Sequence, residues 1–190
     1  MSSQGFVEQL VPNPGVAGAS FGTFTTAKTV IPATSLITLP ANFFTIGKVI
    51  RIKVRGGIGT LVTTPGTITF QVMVGAVVAF TTGAIQLNAT AHVNLPFNLD
   101  IDLICRSIGN SAQATLMGMA VATGVMFTNT AGQTDGANSN TVKNVPATAP
   151  AVGTGFDSTI ANILDFFAGF SISDAANTVK IEMYTVEVLN

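Results

Sequence analysis

Between Gly56 and Leu99 the sequence has no Lys, Arg, Asp or Glu, and a second uncharged run extends from Ser107 to Gln133. A soluble monomer ordinarily carries about 25% charged residues. This 190-residue chain has 9%, eight basic and nine acidic, with a mean hydropathy of +0.54. Surface so poor in charge belongs either in lipid or against protein. A spanning helix needs about 20 consecutive apolar residues. The densest windows, Val72–Phe80 and Leu116–Phe127, are shorter and broken by Gly or Thr. A membrane barrel needs interfacial aromatic girdles, and the chain has no Trp and one Tyr, Tyr184. Burial against neighbouring copies fits better, because subunits cover what a monomer would expose. The expected partner is therefore a second copy of the chain, with no membrane. A net charge of −1 gives no basic excess for phosphates, so nucleic acid is not expected either.

The strand signal is alternation. In Val49–Arg55, Ile50, Ile52 and Val54 point one way and Arg51, Lys53 and Arg55 the other. Thr67–Val74 carries Ile68, Phe70, Val72 and Val74 on a core face, and Val77–Thr81 follows across Gly75 as a hairpin partner. Phe97–Arg106 puts Phe97, Leu99, Ile101, Leu103 and Cys105 inward, with Asn98, Asp100, Asp102 and Arg106 outward. Ala114–Thr128, Ile160–Ser173 and Thr178–Leu189 complete the long strands. The last of these places Val179, Ile181 and Met183 opposite Lys180, Glu182 and Tyr184. Shorter runs at Ser20–Thr26, Ser35–Leu39 and Ile85–Thr90 add to the count. Gly56-Gly57 reads as a break, and Pro65-Gly66 as a turn joining Ile58–Thr63 to Thr67–Val74. Ala161–Ala168 admits a helical reading, although the apolar run Ile163–Ile172 suits a buried strand as well.

Eight to ten short strands without a sustained 3.6-residue period predict an all-β antiparallel sandwich or barrel, and the sandwich is taken as the fold. A jelly roll of eight strands in two four-stranded sheets matches the count and the length. Residues 1–19 read as an extended N-terminal arm and 20–190 as one domain. Within that domain 129–155, rich in Ala, Gly, Asn, Ser, Thr and Pro, reads as a long interaction loop.

The sequence offers little to catalysis. His92 is the one histidine, and no G-x-S-x-G elbow accompanies it, so it reads as a loop or subunit-contact residue. Asp100 and Asp102 share a strand face and would suit Ca²⁺ if loop oxygens completed its shell; the plainer reading is a solvated face neutralised in part by Arg106. The segments Gly56–Gly59 and Gly153–Gly155 lack the Lys-Ser/Thr of a phosphate loop, and no His/Cys cluster suits zinc. No cofactor or metal is expected. Cys105 is the single cysteine, so no intrachain disulfide can form, in keeping with assembly in a reducing cytoplasm. Met1-Ser-Ser-Gln-Gly lacks the features of a signal peptide. The candidate partner contacts are Arg51, Lys53 and Arg55, a basic stripe preceded by Lys48, together with Lys143 in the long loop.

Three strings resemble a known group. Phe21-Gly-Thr-Phe-Thr-Thr-Ala, Thr64-Pro-Gly-Thr-Ile-Thr-Phe and Phe166-Phe-Ala-Gly-Phe-Ser-Ile-Ser-Asp-Ala-Ala-Asn-Thr-Val look like small jelly-roll virion proteins of tailed bacteriophages, from about Gly22 onward. The resemblance implies a non-enzymatic structural protein of the virion, assembled in the host cytoplasm. The role it favours is a capsid decoration or cement protein, as a homotrimer on the major capsid protein, with the N-terminal arm and the 129–155 loop as clasps. A tail, collar, baseplate or shell-forming jelly-roll component is the alternative. A carbohydrate-binding module is the second alternative, with exposed Phe in place of the scarce Tyr and Trp.

Overall fold

The computed structural model describes residues 7–11, 18–61, 63–128 and 140–189. In chain order the elements are β1 (Val7–Val11), β2 (Ser20–Gly22), β3 (Lys28–Thr29), a 3-10 turn at Ala33–Ser35, β4 (Ile37–Leu39), β5 (Val49–Thr60), β6 (Thr67–Val74) and β7 (Val77–Thr81). They continue with β8 (Ile85–Gln86), β9 (His92–Ser107), β10 (Thr115–Gly124), β11 (Thr141–Val145), β12 (Asn162–Phe170) and β13 (Thr178–Leu189). Two antiparallel sheets form a β-sandwich. The larger runs β1-β13-β5-β9-β10-β11, with β2 also on β13. The smaller runs β3-β12-β6-β7, with β4 on β12 and β8 on β6.

The alternation explains why the sheets stack. Ile50, Ile52 and Val54 of β5 and Leu99, Ile101 and Leu103 of β9 face Ile68, Phe70, Val72 and Val74 of β6 and Leu164, Phe166 and Ala168 of β12, all buried. Removing each large apolar side chain from water contributes roughly 1.5–3 kcal/mol. An aromatic ladder ties the layers together: Phe97 stacks on Phe70 at 5.4 Å between centroids, Phe70 on Phe166 at 5.6 Å, and Phe166 meets Tyr184 at 6.1 Å.

Several sequence expectations are corrected. Gly56-Gly57 does not break a strand; β5 runs through it, and position 56 takes glycine because a β-carbon there would meet the Lys180 carbonyl and the Phe97 ring. Pro65-Gly66 does not close a hairpin. With Gly66 at φ +74°, it carries the chain from β5 in one sheet to β6 in the other. In β13 a register shift between Ile181 and Met183 reverses the phase, so Tyr184 is buried and Met183 exposed. Of the two readings of Ala161–Ala168 the strand holds, as β12 from Asn162 onward.

The described parts of the predicted arm and loop contain strands. Val7–Val11 pairs with β13, and Thr141–Val145 pairs with β10. Isolated bridges then tie Val152 to Met117 and Phe156 to Ala114, so this stretch lies on its own subunit. Strands this short, Val-Glu-Gln-Leu-Val and Thr-Val-Lys-Asn-Val, place their apolar residues without alternation, so no two-residue period reveals them. The rest of the predicted arm (1–6 and 12–17) and residues 129–139 of the predicted loop lie outside the described residues.

Candidate interaction face

The outward side chains of the larger sheet form a grid fixed by register. One row is Leu189, Val49, Ile104 and Met117; the next is Glu187, Arg51, Asp102 and Met119. A third is Thr185, Lys53, Asp100, Val121 and Asn144, and a fourth Met183, Arg55, Asn98, Thr123 and Val142. A chain with so few charges therefore gathers many of them on one face, and it borders that charge with apolar side chains. Met119 is 55% exposed and Val142 65%.

Arg51, Lys53 and Arg55 do share this face, as their alternation requires, but each already holds a carboxylate. Arg51 donates from Nε and Nη2 to the two oxygens of Asp102 at 2.8 and 3.1 Å. That hydrogen bond, and then the Asp102 charge, holds Arg51 above its ordinary pKa. Lys53 reaches diagonally to Glu187 at 3.0 Å, and Arg55 to Asp100 at 2.7 Å. Arg55 also donates to the Val54 carbonyl at 2.9 Å. The stripe is thus an ion-pair ladder, not a free basic patch. Pairs this exposed contribute about 0–1 kcal/mol each and weaken with salt. Asp100 and Asp102 are neutralised by Arg55 and Arg51, not by Arg106.

Lys143 does not join the stripe. It stands in register with buried Ala122, on the inward parity of β11, and burial lowers its pKa. Lys48 donates to the Phe43 carbonyl at 2.5 Å and lies over the Phe43 ring at 4.3 Å. His92 opens β9 in register with Thr60.

The feature that the charge pattern concealed lies at one end of the grid. A depression of about 390 Å³ is lined by Val49, Arg51, Asp102, Ile104, Arg106, Met117, Met119 and Leu189. Arg106, exposed at its rim, donates from Nη2 to Met117 Sδ at 3.2 Å and makes no ion pair among the described residues. Its sequence signal was Ile104, an apolar residue at the outward parity between Asp102 and Arg106.

No group of three His, Cys, Asp or Glu side chains able to hold a metal occurs among the described residues, and among them no helix is long and apolar enough to cross a membrane. A sugar platform needs an exposed ring. Of the described phenylalanines, Phe21, Phe43 and Phe167 are half-buried and the others buried.

Compared with protein-family models, curated proteins and solved structures, the chain matches none of them.

Proposed function

We propose that this chain is a non-enzymatic virion structural protein with a jelly-roll fold, serving as a decoration or cement protein on a particle shell. The observation that carries the reading is the nesting of the strand pairs. β2 pairs with β13, β4 with β12, β5 with β9, and β6 with β7. Rolling up one long hairpin produces that order, the first strand beside the last and each inner pair inside it. Eight-stranded jelly rolls of two Greek keys are used as viral shell and lectin domains. β1, β10 and β11 then extend the edges of the larger sheet.

Scarce charge supports work in an assembly, and the phage-like strings support the virion as its place. The described parts of the arm and loop lie along the subunit's own sheet edges. Contact with neighbours, including the major capsid protein and the other copies of a trimer, therefore falls to the ion-pair face and to the edge strands β1 and β11. Assembly would take place in the host cytoplasm.

The test is to locate and count the chain in imaged, purified particles. Decoration requires copies in fixed proportion to the shell protein. Copies confined to one vertex would move the protein to the tail or collar, and absence from particles would end the structural reading.

A further inference from the structure

We infer that the outer face of the larger sheet docks on the same face of a second copy, across a two-fold axis passing at Ile104. The outward positions along β9 run Asp102, Ile104, Arg106: acid, apolar, base, with the apolar residue central. Laying two such strands antiparallel, one over the other, sets each Arg106 opposite the Asp102 of the other copy and Ile104 against Ile104. A two-fold contact uses one patch twice, so each pairing made once is made again.

The perpendicular direction fits the same axis. The row through Ile104 is apolar from end to end, Leu189, Val49, Ile104 and Met117. The axis lies in the interface along this row, so Val49 faces Val49 of the copy and Met117 faces Met117, apolar on apolar. Stacked sheets keep their strands within about 30° of each other, roughly 10 Å apart, so β9 can lie along its counterpart.

The charges are prepared for this contact. Asp102 is fixed by Arg51 yet half-exposed, its side chain 52% accessible. A carboxylate has about four lone-pair sites and so accepts a second guanidinium. Arg106 is the cation on the depression that has no carboxylate among the described residues, which gives it the charge complementary to Asp102 of the copy. A foreign acidic segment would satisfy Arg106 too, but it would leave unexplained why an acid, an apolar residue and a base are spaced evenly about Ile104. The contact covers only the Ile104 end of the face, so it is weak in free solution and gains strength where many copies are arrayed. It is separate from any three-fold contact at the sheet edges, and it does not depend on the particle in which the chain works.

Sedimentation velocity on the intact chain, over a wide concentration range, reads the contact as a doubling of the smallest species present. Arg106→Asp sets like charges opposite each other twice and is expected to weaken the doubling at least tenfold. Combining Arg106→Asp with Asp102→Arg reverses both partners and is expected to restore it, with thermal melts confirming that each variant folds. The inference is overturned if the parent chain shows no doubling at any concentration. It is also overturned if Arg106→Asp doubles as before, or if the folded double variant does not recover. Loss of particle incorporation in Arg106→Asp with self-association unchanged would likewise overturn it, assigning the depression to a different protein.

Discussion

The ring of Phe80 occupies the space that a β-carbon on Gly118 would need, with a methyl of Leu103 close behind it. Phe80 lies on β7, in the smaller sheet, and Gly118 on β10, in the larger, so the sandwich narrows at this edge because one residue has no side chain. Gly118→Ala is expected to destabilise the fold by about 1–3 kcal/mol through overpacking. The readout is the urea midpoint at unchanged slope. Phe80→Leu in the same chain should recover part of the loss, and a double-mutant cycle measures that coupling. Additive effects would mean that the two residues do not compete for this volume.

Asn177 is fully buried and links three segments. Its Nδ2 donates to the Pro65 carbonyl at 3.0 Å and the Ile172 carbonyl at 3.1 Å, while its Oδ1 accepts from the Leu61 N–H at 2.9 Å. The turn before β13 is thereby fastened to the crossing between the sheets. Asn177→Ala strands all three backbone groups, and each buried orphan costs about 1–3 kcal/mol, so a loss of at least about 3 kcal/mol is expected in chemical denaturation. Asn177→Asp should also destabilise, since it turns an acceptor toward two carbonyls.

Asp165 sets a slope of stability with pH that runs against the usual direction. Burial raises its pKa, opposed by hydrogen bonds from the Thr29 hydroxyl and the Phe166 N–H. Its proton is held more tightly in the folded chain than in the unfolded one. Below the ordinary value of 3.8 both states are protonated and the group contributes nothing. As pH rises past it, the unfolded chain ionises first and stability falls, remaining lower once the folded carboxyl has ionised too. Asp165→Asn keeps the accepting oxygen and removes the charge. The variant is therefore expected to be more stable than the parent at neutral pH, with the difference shrinking in acid. Asp157 works in the opposite sense: the Thr159 hydroxyl, followed by backbone groups, lowers its pKa, so its contribution is lost as pH falls.

Cys105 reports on opening of the core. It points inward from β9 and is buried, and burial raises its thiol pKa against the opposing charge of Lys48. Thiolate is the reactive form, so labelling by a thiol reagent should proceed at the rate of unfolding and slow in proportion as stabilising conditions are applied. Labelling at the rate of a free cysteine would show that the core opens near Ser107 without unfolding.

The long strands were legible in the sequence wherever side chains alternate strictly between apolar and polar. β5, β6 and β9 were found this way, and with them the inward residues and the shared face of Arg51, Lys53 and Arg55. Alternation fails where one residue slips the phase. The register shift in β13 moved Tyr184 inward, and nothing in its local composition marks that position. The ion pairs were not legible for a different reason. Asp100 and Asp102 meet Arg55 and Arg51 because β9 lies beside β5, a pairing across an intervening excursion through the other sheet. The depression stayed hidden because Ile104 is a single apolar residue among charged outward neighbours on β9, and its apolar companions come from three other strands.

The position of β13 carries a consequence for how copies are made. This last strand is not at a margin: β1 and β2 hold one side of it and β5 the other. While a ribosome is still adding Thr178–Leu189, β5 shows an open edge and the first strands have nowhere to sit. Native pairing must then span most of the chain, a topology that folds slowly. A nascent chain therefore cannot complete the larger sheet until translation has passed β13.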